Sequence, residues 1–207
     1  MPKWEIKPVW NNEDVFVIGG GSSLKDFDWN LLLPELTIGC NAAFSLGSKI
    51  CKVCLFCDSK FYEKFKKGLA EFDGTVFTNS TSLQKTRESW LWTIPKVSKG
   101  LSNAALGTNG STGCAAINLA LLMGAKRVFL LGIDADLAAD GKSHWHNKYA
   151  SVTDRQAFRV FKNGFAAVAE DLPRLFPGRE VINVSDVSKV DVFPKISPAM
   201  FWKERVK

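Results

Sequence analysis

The sequence predicts an α/β protein: a single domain built on a mostly parallel, twisted sheet with helices on both faces. Short β-branched and apolar runs alternate with stretches of helical spacing, which is the pattern of strand–helix–strand units. Polar or glycine-rich clusters follow several of the strands, as they do where the carboxyl ends of a parallel sheet form a crevice. The length of 207 residues suits one such domain with a sizeable core and is short for two.

Val15–Ile18 reads as the first strand, and 24–33 as a short helical or irregular segment stopped by Pro34. Thr37–Gly39 is a second short strand closed by Cys40-Asn41, and Lys52–Phe56 a third, buried one. Phe61, Phe65 and Leu69 give 60–70 a helical period, and 75–78 follows as a strand. Between 79 and 107 no period is sustained, which reads as an irregular insertion over the surface in which Trp90 and Trp92 offer stacking faces. The Asn109-Gly110-Ser111-Thr112-Gly113 run then opens a helix over 114–123, with Gly124 at its end, and 127–131 is the next strand. A polar loop reaches about Thr153, a helix runs from Asp154 to about Leu172, 180–184 is the last strand, and 185–207 is a C-terminal tail.

Hydrophobic residues at 46% exclude a disordered chain, and no run is apolar enough for long enough to span a bilayer. Trp4, Glu5 and Lys7 show no signal-peptide pattern, so a cytoplasmic location is expected, with five cysteines as thiols rather than a disulfide framework. The net charge of +6 points to an anionic ligand; its scattered lysines and arginines leave nucleic acid as a partner open, along with a homo-oligomer.

Gly19-Gly20-Gly21-Ser22-Ser23 directly after the first strand is a phosphate-type loop, because glycine lets successive N–H groups approach an anion. It lacks both the third spaced glycine of a dinucleotide fingerprint and the Lys-Ser/Thr of a P-loop. Asn109, Ser111, Thr112 and Gly113 form a second such loop at a helix start, and Asn41, Asp58, Gly132 and Asp134 follow other strands. His144 and His146 flank Trp145 just beyond Asp134, Asp136 and Asp140. One histidine can act as general base; the same set can hold a divalent metal, with Asp134 and Asp136 as ligands, or be structural. The Cys51, Cys54 and Cys57 cluster sits on a strand, where it reads as buried hydrophobes rather than a zinc site.

The order of GGGSSL with Lys25-Asp26-Phe27-Asp28, then Cys40-Asn41, then Ser111-Thr112-Gly113-Cys114, then Leu131-Gly132-Ile133-Asp134 resembles the lipooligosaccharide sialyltransferases of glycosyltransferase family 42. It is also similar to the domain of unknown function 115 group, which includes 6-hydroxymethylpterin diphosphokinases and short phage-encoded proteins. The resemblance covers roughly 14–150. It implies a Rossmann-like domain that binds a nucleotide-sugar donor, first of all a CMP-sugar, with no metal required. In that pattern Gly19, Gly21 and Ser23 lie against phosphate, Asn41 and Asp58 near nucleotide or sugar, Ser111, Thr112 and Gly113 against nucleotide and donor carboxylate, and His144 or His146 activates an acceptor hydroxyl. Asp136 stands where the sialyltransferases have tyrosine, a departure that brings magnesium and another nucleotide into consideration, with Asp136 as a catalytic residue.

The expected function is therefore sialyltransferase-like glycosyl transfer. Magnesium-dependent pyrophosphoryl transfer through Asp134, Asp136 and Asp140 is the alternative enzyme, and sequestration of a nucleotide without turnover the alternative from another class.

Overall fold

In a parallel sheet covered on both faces, residues of one strand alternate between two apolar layers, and the first strand shows this directly. The computed structural model describes residues 5, 7–83, 86–149 and 153–205; the termini of the expected 1–207 domain, 1–4 and 206–207, lie outside the described residues. In β1 (Asp14–Ile18), Val15 and Val17 enter one core while Phe16 and Ile18 enter another. The same split recurs in β3 (Val53–Phe56) and β8 (Arg127–Leu131).

The remaining strands of the main sheet are β2 (Leu36–Cys40), β4 (Thr75–Thr78), β5 (Leu91–Thr93), β9 (Glu180–Val184) and β10 (Lys195–Ile196). Their order is β10-β9-β8-β1-β2-β3-β4-β5, with every pair parallel. One face is covered by α2 (Thr112–Leu122) and α3 (Arg155–Leu175), the other by α1 (Ser59–Ala70), α4 (Pro198–Arg205) and short 3-10 turns at 22–24 and 29–32. The chain builds outward from β1 to β5, then returns through α2 to β8 on the other side of β1. This reversal puts a crevice beyond the carboxyl ends of β1 and β8.

The 79–107 stretch differs from the irregular insertion its sequence suggests. It supplies β5 to the main sheet, and Lys96–Val97 pairs in parallel with Leu106–Gly107 as a separate two-stranded ribbon, β6 and β7. Polar anchors replace the missing hydrophobic period. Fully buried Asn118 of α2 accepts from the Ser102 and Gly107 N–H groups at 3.0 and 2.9 Å and donates to the Ser102 carbonyl at 2.8 Å. Asp171 of α3 accepts from the Leu101 N–H at 2.9 Å.

Residues 185–205 of the tail are likewise structured. Arg205 of α4 forks onto Glu35 with two 2.8 Å bonds and reaches Asp14 at 2.8 Å, while Arg127 binds Asp14 through Nε and Nη2. The Arg205 guanidinium also stacks 4.9 Å from the Phe16 ring centroid. The two arginines hold the Asp14 carboxyl below its ordinary range, against the opposing effect of burial. No helix among the described residues is long and apolar enough to cross a membrane.

Arg205→Ala leaves Glu35 and Asp14, both mostly buried, short of a partner and removes the aromatic stacking. Thermal unfolding should show a loss of about 2–3 kcal/mol, or roughly 5–10 °C in Tm, and Arg205→Lys should recover less than half of it because an ammonium cannot fork onto a carboxylate.

Candidate functional site

A cavity of about 500 Å³ opens along the carboxyl edge of the sheet. Its walls come from the residues that follow five adjacent strands: Gly132–Asp136 after β8, Gly19–Gly21 after β1, Cys40-Asn41 at β2, Cys57-Asp58 after β3 and Asn79 after β4. The start of α2, residues 110–113, and the loop carrying His144 and His146 close it. Of the residues singled out in the sequence, Gly19, Gly20, Gly21, Asn41, Asp58, Ser111, Thr112, Gly113, Gly132, Asp134, Asp136, His144 and His146 lie on this cavity. Ser22, Ser23 and Asn109 are not on its walls.

The glycine loop is organised differently from the anion cradle expected of it. The Gly19 N–H donates to the Leu131 carbonyl at 2.7 Å, and the Gly21 N–H to the Gly132 carbonyl at 2.8 Å. The Ser23 N–H and hydroxyl both donate to the Asp134 carboxylate, at 2.9 and 2.7 Å. These four donors are spent on the β8 edge, and Gly19 and Gly21 serve close packing there. A Cβ on Gly19 would lie 2.3 Å from the Gly132 carbonyl oxygen, and one on Gly21 2.4 Å from the Asp134 carboxyl carbon. Asn109 is engaged in a comparable way, since its side chain accepts from the Gly100 N–H at 2.6 Å and donates to the Gly100 carbonyl at 3.0 Å.

Asp134 is 5% exposed and clamps Ser23, which accounts for its burial; burial pushes its carboxyl upward while the Ser23 bonds oppose the shift. Asp136 accepts from the Leu137 N–H, and Asp140 pairs with Lys142 in an exposed position. The expected magnesium set of Asp134, Asp136 and Asp140 is thus not assembled: among the described residues no three His, Cys, Asp or Glu side chains gather as a metal site. The cysteines follow suit. Cys51 and Cys54 enter the layer under α1 while Cys57 faces the opposite layer and the cavity, and burial pushes the Cys57 thiol up to about 11.

A helix start also faces the cavity, at α2. Ser111 caps the helix by accepting from the Gly113 N–H at 3.2 Å, and residues 110–113 line the cavity, so the positive end of the helix dipole faces it. Thr112 Oγ1 donates to Asn41 Oδ1 at 3.4 Å, linking this start to the end of β2. Asp58 caps α1, accepting from the Lys60 N–H at 2.8 Å.

The histidine loop is stapled to the glycine loop by Trp145, whose indole N–H donates to the Gly19 carbonyl and whose backbone N–H donates to the Gly20 carbonyl, both at 3.0 Å. His144 and His146 stack at 5.2 Å, and the Tyr149 ring meets each edge-on at 4.9 Å. The two imidazoles are distinguishable. His146 Nδ1 accepts from the Lys148 N–H at 3.3 Å, which leaves its proton on Nε2. Burial, then the neighbouring His144, pull His146 down to about 4. His144 is also lowered by burial; Ser143 Oγ lies 2.8 Å from its Nδ1, and that hydroxyl accepts from the Thr153 N–H at 3.0 Å. Burial pushes the Tyr149 hydroxyl far up, so it stays protonated. Ala135, between the two aspartates, adopts φ +51°, a left-handed conformation that costs a non-glycine residue about 1–2 kcal/mol.

Lys96, Asn79, Ser143 and Tyr149 also line the cavity and were not singled out by sequence reasoning. Tyr149, one of two tyrosines and three residues beyond His146, was the one within reach of it.

No family model matches the chain, and no curated protein matches it. Solved structures do. The sialyltransferase CstII from Campylobacter jejuni, in complex with the substrate analogue cytidine-5'-monophosphate, superposes with a TM-score of 0.56 at 15% identity, over 91% of this chain and 86% of that one. The same enzyme with CMP-3FNeuAc gives 0.55. The fold is glycosyltransferase-like. The MAf glycosyltransferase from Magnetospirillum magneticum AMB-1 aligns with a TM-score of 0.58 at 15% identity, over all of this chain but only 38% of that one.

Gly19→Ala should abolish folding or cost upwards of about 3 kcal/mol, since a methyl group there meets backbone. Gly20→Ala meets the His144 ring at 3.0 Å and should cost about 1 kcal/mol while moving that ring; thermal melts compare the two. The histidines set an acid limit. With folded values below the ordinary 6.5, they bind fewer protons than the unfolded chain, so their contribution is full above pH 6.5 and is lost as pH falls toward about 4. His146→Gln should therefore flatten the decline in Tm between pH 6.5 and 4.5, by roughly 3 °C for a solvent-screened ring.

Proposed function

We propose that the protein is a nucleotide-sugar-dependent glycosyltransferase with His144 as general base, using a CMP-type donor first of all. The observation that carries this reading is the meeting, in one cavity at the reversal of strand order, of the α2 N-terminus, the packed glycine loop and a desolvated histidine. The sialyltransferase superposition supports the same reading through the cytidine nucleotide that enzyme holds.

The donor phosphate lies at the positive end of the α2 dipole, with Thr112 and Asn41 beside it. His144 is neutral at pH 7; with its proton on Nδ1 toward Ser143 Oγ, Nε2 is the acceptor, and Thr153 Oγ1, 3.5 Å from it, gives way to the acceptor hydroxyl. It takes the proton of an acceptor hydroxyl as the oxygen attacks the anomeric carbon. The bond from that carbon to the phosphate oxygen breaks, and the nucleotide leaves with the electron pair. Direct displacement inverts the anomeric centre. Tyr149, kept protonated by burial, is the hydrogen-bond donor available to the departing phosphate. His146 is the weaker base, its Nδ1 being occupied and its affinity for a proton lower.

Calorimetric titration with CMP-, UDP- and GDP-sugars tests the binding, and absence of binding to all of them overturns the proposal. With a donor in hand, His144→Ala should lower kcat by about 10²–10⁴-fold and leave donor affinity within a few-fold. The wild-type kcat/KM should rise with pH along a limb whose midpoint lies below 6.5, and that limb should vanish in His144→Ala. Equal loss of turnover in His146→Ala with none in His144→Ala would reverse the assignment.

A further inference from the structure

Asn79 is a buried polar side chain that the fold does not satisfy. It follows β4, is 3% exposed, and lines the cavity. Neither its Oδ1 nor its Nδ2 has a hydrogen-bond partner among the described residues. An unpaired buried polar group destabilises the fold, so a side chain of this volume selected for packing alone would be leucine. The Cys57 thiol lies beside the amide, a weak partner that does not meet hydrogen-bond geometry. Thr112 and Lys96 line the same cavity.

Position then says which part of a ligand is met there. The histidine loop is tied to the glycines after β1, whereas Asn79 follows β4, three strands away. At about 4.8 Å per strand this is about 14 Å, more than a phosphate group spans, so Asn79 meets a group attached to the phosphate rather than the phosphate itself. Asn41 and Thr112 lie between the two ends.

Resting on the glycosyltransferase reading, we propose that Asn79 is the specificity-determining contact for the sugar that is transferred. Its carboxamide offers one acceptor and two donors side by side, which suits a neutral group bearing an adjacent donor and acceptor: a pair of hydroxyls or an acylamino substituent. A site built on a buried amide discriminates against a sugar lacking that pair, because the amide is then left unpaired.

The test compares Asn79→Leu with the wild type by calorimetry, using each free nucleotide against its conjugates: CMP with CMP-sialic acid, UDP with UDP-glucose and UDP-N-acetylglucosamine, and GDP with GDP-mannose. The two UDP conjugates separate a hydroxyl from an acylamino contact. The variant should weaken the sugar conjugate about tenfold and the free nucleotide less than twofold. The melting temperature of the ligand-free protein should rise by about 2 °C as the unpaired amide disappears. A fall in Tm would show that the amide is satisfied within the fold and would overturn the proposal, as would equal weakening of nucleotide and conjugate. A variant that binds the conjugate as well as the wild type does removes the subsite and leaves the glycosyltransferase reading standing. A wild type that binds neither nucleotide nor conjugate removes both.

Discussion

The arrangement of the site depends on how closely the carboxyl ends of β1 and β8 stay together after their ladder ends at Ile18 and Leu131. Neighbouring strands that leave in opposite topological directions ordinarily diverge and open the crevice immediately. Here Gly19 and Gly21 continue the contact onto the Leu131 and Gly132 carbonyls, and Asp134 takes the two donors of Ser23. Only residues without side chains permit this, since the next atom out from Gly19 would sit inside a carbonyl oxygen. The Gly19 and Gly20 carbonyls then receive Trp145, which fixes the two histidines it separates. Glycine packing, clamp and staple form one chain of dependence from the sheet to the reactive imidazole.

The second constraint is α2. All but its first residue are buried, so it has no solvent face to tolerate shifts. Asn118, on the same helix, meets three backbone groups of the 102–107 segment, and Asn109 before it meets both groups of Gly100. A segment poor in hydrophobic pattern is thereby held to the most deeply buried helix. That places Lys96 on the cavity wall and, through α2, aims a helix N-terminus at the same space. Fully satisfied, such buried carboxamides give the stretch a single conformation.

This also explains which parts of the fold were legible. Strands β1, β3, β4, β8 and β9 are runs of alternating, doubly buried residues, and helix α1 has phenylalanines on one face, so periodicity reveals them. The three residues of β5 and the pairs in β6, β7 and β10 are too short to carry a period, and they exist through their neighbours. The gathering of polar residues at strand ends was legible because topology alone dictates it. Which of them face the cavity was not: Ser23 and Asn109 have the composition of ligand-binding residues but are consumed by backbone and carboxylate partners. Asn79 and Lys96 escaped notice because they stand in the segment where no pattern assigns a direction to any side chain.

The distribution of polar costs separates scaffold from site. Asp134, Asn109 and Asn118 are as buried as core residues, yet each has its partners, so each stabilises one local geometry. Around the cavity the opposite holds: Asn79 is unpaired, His144 and His146 are desolvated into neutrality, and Ala135 takes a left-handed backbone. Each departure costs on the order of 1 kcal/mol in a fold whose whole stability is about 5–15 kcal/mol. Asn183 Oδ1 and Trp202 Nε1 are also buried without a partner among the described residues, and Asn12 is also left-handed, away from the cavity; what sets Asn79 and the two histidines apart is that they lie on the walls of one cavity at the reversal of strand order, where a bound ligand can reach them.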